Sequence, residues 1–522
     1  MRQINFRYKI PTLANTLLAV VSAVLLTLAF PDFELWFLGF VALVPLVIAL
    51  YTERGSAARS FVAAWVFGTV FFFCTCWWLT FAPITYAGFP PILAYVLLIG
   101  VCMVAALFVG LVGAIAAPLF DRLGLKAMAA VPFVWVVGEF LRYWVSGNNW
   151  NAIAYSQAFA PEFLSYFVPG GVPAASIGGI YLTGFVVVGA NCVVAALVLR
   201  RRKGDLAVAG AGAAILIGFA GLQYWLVDVG SERNGEVVAK VVALQPNVPM
   251  SGLSYQKWVA LRELHVQLAE EALIGLDRSG GEPVTVVFPE SPMNFQYAED
   301  VEFQRFVNDF ARQHDVNVLF NSAEPDPASN RYFNSAVMVS PEGRAIAQYD
   351  KIYLVPFGEF VPSPFQAVMP ALVGSFSVGS EYDLVPLGDA TGGIMICFES
   401  HFGELSREYV RQGADVLIEM TNDGYLGPTP VLRQHLASAV FRSLETNRPM
   451  MRVTNVGITA YITERGKVVD PAESYQEDTR VWHVTKSDGS QTIYVRFGDW
   501  FAWVCVIVTL GMFGSLMINR RK

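Results

Sequence analysis

The stretch AIAQYDKIYLVPFGEF, residues 345–360, places Lys351 directly after a short run that is typical of a β-strand. Two similar stretches occur in the same polar block of the chain. VTVVFPES presents Glu290, and GGIMICFES presents Cys397, each at the end of an apolar run. A thiol, a carboxylate and an ammonium group at strand ends are the groups that acyl-transfer chemistry uses.

The composition around this block is that of an integral membrane protein. Of the 522 residues, 54% are hydrophobic and only 15% are charged, and the mean hydropathy is +0.46. The net charge is -7 and there are no basic tracts, so nothing indicates nucleic-acid binding. The length allows a bundle of spans plus one globular domain of about 250 residues.

Eight segments are apolar and long enough to cross a bilayer, whose hydrocarbon core of about 30 Å needs about 20 helical residues. The first lacks a convincing small-residue cleavage site and further spans follow at once, so we interpret it as a retained helix, not a signal peptide. The eight segments run at 12–30, 36–52, 60–80, 91–118, 127–146, 178–199, 206–227 and 498–518.

Lysine and arginine in short loops predict the orientation, because positive residues remain in the cytoplasm. Positive clusters precede the first span, occupy alternate loops and end the chain: Arg2, Arg7, Lys9; Arg54, Arg59; Arg122, Lys126; Arg200, Arg201, Arg202, Lys203; Arg520, Arg521, Lys522. We therefore expect both termini in the cytoplasm, and the polar block in the periplasm beside the inner membrane of a bacterium.

These boundaries predict three parts of the chain. Residues 1–228 hold seven transmembrane helices, residues 229–495 form the periplasmic domain, and residues 496–522 form the last span and a cytoplasmic tail. Five of the six cysteines fall in spans, and Cys397 alone lies in the exported domain. A single thiol there is either a small buried hydrophobe or a reactive group.

Within the exported domain, short β-rich runs alternate with helical stretches, which predicts one α/β or α+β sandwich. The strand candidates are EVVAKVVALQ, PVTVVFPE, VNVLFNS, YFNSAVMVS, GGIMICFE, ADVLIEMTN, PMMRVTNVG and ITAYIT. The helix candidates are Tyr255 to Leu276, Val301 to Gln313, Phe402 to Gln412 and Pro430 to Asn447.

The three strand-end residues have complementary chemistry. A cysteine attacks a carbonyl as its thiolate, so Cys397 needs a base or a positive field, and Glu290 is the candidate base. Lys351 and the backbone N–H of Phe398 are the candidate donors to an oxyanion. Taken singly, Glu290 and Lys351 each also fit an ordinary solvated position. Glu359 and Glu399 fit either surface positions or supporting positions in the site.

The residues carry a resemblance to a known superfamily. The order FPES, then K-x-x-L-V-P-F-G-E-F-V-P, then I-C-F-E resembles the nitrilase superfamily. The eight-span frame around this domain is similar, more narrowly, to the bacterial apolipoprotein N-acyltransferases. The similarity extends over essentially the whole chain and includes LQPNVP at 244–249, RYFNSA at 331–336 and TNDGYLG at 421–427.

The resemblance implies a nitrilase-like α-β-β-α sandwich and a two-step reaction without a cofactor or metal. The nucleophile Cys397 would take an acyl chain from the sn-1 position of a phospholipid, typically phosphatidylethanolamine. The thioester would then acylate the α-amine of the diacylglyceryl cysteine that begins an apolipoprotein. Glu290 would be the general base and Lys351 the oxyanion stabiliser.

The resemblance also implies supporting roles. Glu359, Phe398 and Glu399 would assist the central residues, and Trp258 would contact lipid on a mobile arm. An apolar roof that includes Phe357, Phe360 and the run from Phe365 to Phe376 would keep water from the thioester. The protein is expected to act as a monomer.

Other functions remain open at this point. A Cys397–His401 dyad would require both residues on one helix, whereas the apolar run places Cys397 at its beginning. A membrane-anchored amidase would use the same three residues, although one helix would suffice as its anchor. A transporter would need charges along a path, and Glu139 with Arg142 is the close pair in the spans; a packing role fits that pair better.

Overall fold

The structure is a computed structural model that describes residues 10–161, 172–200, 203–226, 235–290, 293, 295–363 and 375–518. The chain forms two compact units. The first comprises Met1–Val229, Thr429–Ala437 and Phe497–Lys522, and the second comprises Gly230–Pro428 and Ser438–Arg496.

The first unit is built from apolar helices. Thr12 and Ser56 cap two of them, since their side chains accept the N–H groups of Asn15 and Arg59. The α-helices are α1 Leu13–Ala29, α2 Val44–Thr52, α3 Ala57–Cys76, α4 Phe81–Thr85, α5 Pro91–Leu123, α6 Val131–Ser146, α7 Val172–Leu199 and α8 Lys203–Leu226, and near the end of the chain α14 Trp500–Ile518. Short 3-10 helices lie at Trp36–Phe40, Trp77–Thr80, Gly124–Ala129 and Ile153–Gln157.

Among the described residues, three helical stretches are long and apolar enough to cross a membrane: Ala57–Thr85, Pro91–Ala129 and Ala174–Leu199. Shorter apolar helical stretches lie at Leu13–Ala29, Trp36–Thr52, Ala209–Gly218 and Trp500–Ser515. The described residues of each of the eight predicted spans are largely helical, although the second is interrupted between its 3-10 turn and α2. The count of eight spans stays a prediction.

The predicted orientation is likewise untested by the helices. Several of the positive residues on which it depends lie outside the described residues, namely Arg2, Arg7, Lys9, Arg201, Arg202, Arg520, Arg521 and Lys522.

The charged pair of α6 supports local structure within the first unit. Glu139 Oε1 accepts hydrogen bonds from the Ile153 N–H at 2.9 Å and from Trp135 Nε1 at 3.1 Å. Arg142 Nη1 donates to the carbonyl oxygen of Trp150 at 2.7 Å. Both side chains therefore hold the segment that follows α6, which favours the packing role over a transport path.

The second unit contains two sheets and their covering helices. Its strands are β1 Val237–Gln245, β2 Val284–Val287, β3 Asn317–Pro325, β4 Tyr332–Val339, β5 Ala345–Asp350, β6 Phe376–Ser377, β7 Leu384–Leu387, β8 Ala390–Ile396, β9 Val416–Thr421, β10 Met450–Thr454, β11 Ala460–Ile462, β12 Val468–Val469 and β13 Asp478–Thr485. Its helices are α9 Tyr255–Ile274, α10 Val301–His314, α11 Gly403–Arg411, α12 Val431–Thr446, which also contributes residues to the first unit, and α13 Ile493–Phe497.

The two sheets pack face to face with helices outside them. One sheet has the order β13-β1-β2-β3-β4-β5, with β6 paired to β4, and the other has the order β12-β11-β10-β9-β8-β7. Helices α9 and α10 pack on the first sheet and α11 packs on the second. In α10, Phe303, Val307 and Phe310 recur at helical spacing and are buried in the core beneath it. The layers are therefore α-β-β-α, as the resemblance implied.

The strand β13 was missed by the sequence analysis. It pairs antiparallel with β1 at an edge of the first sheet, and its burial alternates between exposed and buried positions. Polar residues are interspersed along it, so DTRVWHVT lacks the continuous apolar run that marks a central strand. The short strands β6, β7 and β12 were missed as well.

Candidate active site

The three predicted catalytic residues lie together within the second unit. Glu290 follows β2, Lys351 follows β5 and Cys397 follows β8. Lys351 Nζ is 3.8 Å from Glu290 Oε1, and the Cys397 thiol interacts electrostatically with both groups. The structure therefore brings a thiol, a carboxyl group and an ammonium group into one site, while the role of each stays a prediction.

Cys397 occupies an elbow, a sharp bend of the backbone directly after β8. Its φ angle is +54°, in the left-handed region that non-glycine residues rarely adopt. Such a conformation costs about 1–3 kcal/mol and is concentrated at functional sites. A 3-10 helix, Cys397–His401, begins at this residue, so the sulfur is presented at the junction of strand and helix.

Glu399 fastens this elbow to the segment after Lys351. One carboxylate oxygen accepts from the Ile396 N–H at 2.8 Å, and the other accepts from Tyr349 Oη at 2.7 Å. The second oxygen also accepts the N–H groups of Ile352 and Tyr353 at 2.8 and 3.0 Å. Burial raises the pKa of Glu399 to about 7, against the opposing effect of Lys351. Glu399 thus supports the site by fixing its backbone.

Lys351 is completely buried between two carboxylates. Its Nζ lies 2.9 Å from Glu359 Oε1, in addition to the Glu290 contact. Burial alone would lower the pKa of Lys351, but Glu359 and then Glu290 outweigh it and raise the pKa above its usual value. The side chain is therefore an ammonium group held in place. Glu359 is itself fixed by the Val355 N–H, which donates to Oε2 at 2.8 Å.

The surroundings of Glu290 suit the predicted role of a general base. Burial raises its pKa, and the neighbouring Lys351 only partly opposes this effect. Its two oxygens accept hydrogen bonds from Asn334 Nδ2 and from the Asn422 N–H, both at 3.1 Å. A carboxylate with a raised pKa takes up a proton more readily at neutral pH than an ordinary glutamate.

The surroundings of Cys397 favour its neutral thiol over the thiolate. Burial raises its pKa well above the usual value, and Glu290 raises it further. Lys351 and a hydrogen bond with Thr421 lower the pKa, but by less. Of the two routes to a thiolate that the sequence left open, a base and a positive field, this balance favours removal of the proton by a base.

Asn334 and Asn422 are site residues that the sequence analysis did not single out. Asn334 Nδ2 donates to Glu290 Oε1 and, at 2.7 Å, to Glu359 Oε1, so one amide joins both carboxylates. Its Oδ1 accepts from Asn321 Nδ2 at 2.7 Å. The available signal was the polar asparagine within the β4 run YFNSAVMV, in the segment RYFNSA that matched the family.

His401 has partners of its own for both ring nitrogens. Nδ1 lies 3.2 Å from the Phe398 carbonyl oxygen, and Nε2 lies 3.4 Å from Ser438 Oγ. The Phe398 ring stacks on the His401 ring with centroids 5.2 Å apart. These contacts hold the His401 ring in place and occupy both of its nitrogens. They favour Glu290 over His401 as the base.

Phe398 is the second residue of the 3-10 helix that begins at Cys397. N–H groups in the first turn of a helix have no intrahelical acceptor. The Phe398 N–H therefore suits the predicted role of an oxyanion donor directly after the nucleophile.

Trp258 lies on α9, packed against the core of the domain. Its ring meets Phe295 edge to face at 6.0 Å, its Nε1 donates to the Met293 carbonyl oxygen at 3.3 Å, and the Arg262 guanidinium lies over it at 5.1 Å. Contact with lipid stays a prediction for this residue. Residues 364–374, most of the predicted apolar roof, lie outside the described residues.

Across the described ranges, no group of three or more His, Cys, Asp or Glu side chains is placed to hold a metal ion.

Comparison with known proteins places the chain in a family. The family model described as the apolipoprotein N-acyltransferase N-terminal domain matches residues 22–193, and the carbon-nitrogen hydrolase model matches residues 253–494. An apolipoprotein N-acyltransferase of Geobacter metallireducens is 30% identical over 94% of this chain and 93% of its own length. The chain belongs to the apolipoprotein N-acyltransferase family. It is therefore an acyltransferase that carries a nitrilase-type domain.

Two further comparisons extend the picture. The apolipoprotein N-acyltransferase of Thermotoga maritima is 29% identical over 98% of this chain and 95% of its own length. Among solved structures, an amidase from Nesterenkonia sp. aligns with 51% of this chain and 95% of its own, at 14% identity and a TM-score of 0.37.

Proposed function

We propose that this acyltransferase moves a fatty acyl chain from the sn-1 position of a phospholipid, typically phosphatidylethanolamine, to apolipoproteins. The acceptor is the α-amine of the N-terminal diacylglyceryl cysteine, and the transfer is the last step of lipoprotein maturation. Family membership supports acyl transfer in lipoprotein maturation. The observation that carries the finer proposal is the thiol of Cys397 on its elbow beside Glu290 and Lys351.

In the first half-reaction Glu290 removes the thiol proton while Cys397 Sγ attacks the ester carbonyl carbon. The carbonyl oxygen becomes an oxyanion that the Lys351 ammonium group and the Phe398 N–H stabilise. When the C–O ester bond breaks, protonated Glu290 returns the proton to the departing oxygen. A lysophospholipid leaves and a thioester remains on Cys397.

In the second half-reaction the acceptor amine attacks the thioester carbonyl carbon. Glu290 takes a proton from the nitrogen, the C–S bond breaks as the carbonyl forms again, and protonated Glu290 returns its proton to the thiolate of Cys397. The product is an amide. Dividing the transfer into two steps replaces one difficult reaction by two easier ones, because a thioester is more reactive toward an amine than an ester is.

The proposal includes a location for each part of the chain. Residues 1–228 and 496–522 would span the bacterial inner membrane eight times, with both termini in the cytoplasm. Residues 229–495 would form the catalytic domain in the periplasm, where phospholipid and lipoprotein substrates are present. The protein would act as a monomer.

The decisive experiment is incubation of the purified full-length protein with phosphatidylethanolamine, followed by intact-mass measurement. The wild type is expected to gain one acyl mass that hydroxylamine removes, and Cys397→Ala is expected to gain none while remaining folded. Cys192→Ala, which alters a buried thiol of α7 in the first unit, is the control and should be acylated like the wild type.

Two outcomes would contradict the proposal. An acyl adduct that persists in Cys397→Ala would show that another group is the nucleophile. A wild-type protein that gains no acyl mass but hydrolyses small amides would be an amidase instead.

A further inference from the structure

Thr421 lies beside the nucleophile at the end of the neighbouring strand. In the parallel pair β8 and β9, Ile396 is opposite Met420, so the next residues along the two strands are Cys397 and Thr421. On its other side Thr421 is opposite Thr454 of β10. The Thr421 side chain is completely buried, so its hydroxyl depends on protein partners.

The Thr421 hydroxyl has two neighbours that accept hydrogen bonds. It is hydrogen-bonded to the Cys397 side chain, and its Oγ1 lies 3.3 Å from Asp423 Oδ1. A hydroxyl has only one proton to donate. It can therefore serve the carboxylate or the sulfur, and the stronger acceptor at each stage of a reaction decides which.

Asp423 is fixed behind Thr421 by a buried guanidinium. Arg452 Nη2 donates to Asp423 Oδ2 at 2.8 Å, and Arg452 also pairs with Glu419. The three side chains are 0–2% exposed. A Cβ added at Gly457 would lie 2.3 Å from Asp423 Oδ2, so the carboxylate is tightly enclosed. Asp423 consequently has one orientation toward Thr421.

We propose that Thr421 is a further catalytic residue, whose hydroxyl donates a hydrogen bond to the Cys397 sulfur whenever that sulfur carries negative charge. Asp423 and Arg452 are the positioning residues that hold the hydroxyl in place. This inference rests on the proposed role of Cys397 as the nucleophile. No covalent bond of Thr421 forms or breaks. Its O–H group only rotates between two acceptors, Asp423 and Cys397.

Negative charge appears on the sulfur twice in the proposed reaction, once in each half-reaction. A thiolate accepts hydrogen bonds well and a neutral thioester sulfur accepts them poorly. The hydroxyl therefore turns toward Cys397 as the thiolate forms, turns to Asp423 in the acyl-enzyme, and turns back when the thiolate departs in the second half-reaction. Loss of the hydroxyl should slow both half-reactions.

Thiol alkylation tests this inference without any lipid substrate. The full-length protein is treated with iodoacetamide between pH 6 and 10, and modification of the peptide that contains Cys397 is followed by mass spectrometry. Thr421→Val keeps the shape of the side chain without its hydroxyl. It should alkylate about tenfold more slowly at pH 7.5, with the rate profile displaced to higher pH, because a hydrogen bond to a charged group is lost.

Two matched variants separate the hydroxyl from packing. Thr421→Ser restores a hydroxyl at the same position and should recover most of the wild-type rate. Thr454→Val removes the equally buried hydroxyl of the adjacent strand, which contacts Gln245 Oε1 at 3.1 Å. It should leave the alkylation profile unchanged. Thr421→Ala replaces Thr421→Val if the latter does not fold.

The inference is overturned if Thr421→Val alkylates and forms acyl-enzyme at wild-type rates. It is also overturned if Thr421→Ser is as slow as Thr421→Val, or if Thr454→Val is equally slow. Each of these results leaves the proposed function intact. An acyl adduct on Cys397→Ala, by contrast, would remove the proposed function itself.

Discussion

Replacing Asn334 by leucine tests whether one amide organises the two carboxylates of the site. In the wild type, Asn334 Nδ2 donates to Glu290 Oε1 at 3.1 Å and to Glu359 Oε1 at 2.7 Å. Leucine has a similar size but no hydrogen-bond donor. Both carboxylates, whose side chains are 16% and 7% exposed, would then lose a partner in a largely buried site.

The size of the effect follows from these two bonds. A hydrogen bond to a charged group contributes about 1.5–3 kcal/mol, so the lower figure for each bond gives about 3 kcal/mol. If that stabilisation is lost in the transition state, acyl-enzyme formation slows about 100-fold, since about 1.4 kcal/mol corresponds to a factor of ten. The Asn334 hydrogen bond also lowers the pKa of Glu290, so its removal raises that pKa. The acidic limb of the rate profile should therefore move to higher pH.

The assay is the single-turnover rate of acyl-enzyme formation from phosphatidylethanolamine, measured by intact mass between pH 5 and 9. Asn334→Asp keeps the shape and adds a third carboxylate, so it should displace the acidic limb in the same direction. Asn308→Leu, on α10, is the control. Among the hydrogen bonds described, Asn308 Oδ1 accepts only from Tyr297 Oη, at 2.9 Å. The reasoning is refuted if Asn334→Leu acylates within about threefold of wild type with an unmoved acidic limb.

Two further predictions concern buried charges. Lys351→Met leaves Glu290 and Glu359 without their shared cation, so it should lower the free energy of unfolding by about 3–5 kcal/mol and abolish acylation. Thermal unfolding and intact-mass measurement test this, with Lys257→Met, at an exposed lysine, as the control. An unfolding transition equal to that of the wild type would contradict the prediction. His265 is buried, and burial lowers its pKa from 6.5 to about 4. Between these two pH values the unfolded chain therefore binds more protons than the folded protein. The stability contributed by neutral His265 is complete above pH 6.5 and is lost as the pH falls toward 4. Hydrogen exchange of the α9 peptides should show an opening free energy about 2 kcal/mol smaller at pH 5 than at pH 7 in the wild type; this difference should vanish in His265→Leu, and equal pH dependence of the two proteins would rule the explanation out.

Much of the second unit was predictable from the sequence, because its central strands and helices have strong local patterns. Parallel strands such as β8 and β9 are buried on both faces, so GGIMI is a continuous apolar run and VLIEMT is apolar apart from Glu419 and Thr421. The helix predicted at Val301 to Gln313 is observed at Val301–His314, since Asp300 caps it and its apolar residues recur on one face. Edge strand β13 has neither signal, and it was missed.

The candidate site was predictable only in part. Glu290, Lys351 and Cys397 follow apolar runs directly, and their residue types suggest chemistry when considered together. Thr421 and Asn422 are common polar residues at the end of a strand, and such positions are usually occupied by polar residues for reasons of turn formation. Nothing local distinguishes these two, whereas Asn334 differs from its neighbours only as a polar residue within the β4 run.

The sequence by itself determined which residues stand at the ends of strands, because apolar periodicity and strand length are local properties. Only the tertiary structure decided which strand ends meet. The hydrogen bond from Asn334 to Glu290 joins residues 44 positions apart, and the bond from the Asn422 N–H to Glu290 joins residues 132 positions apart. Such contacts depend on sheet order and register, which arise when the whole chain packs, and they set the charge and the orientation of each group in the site.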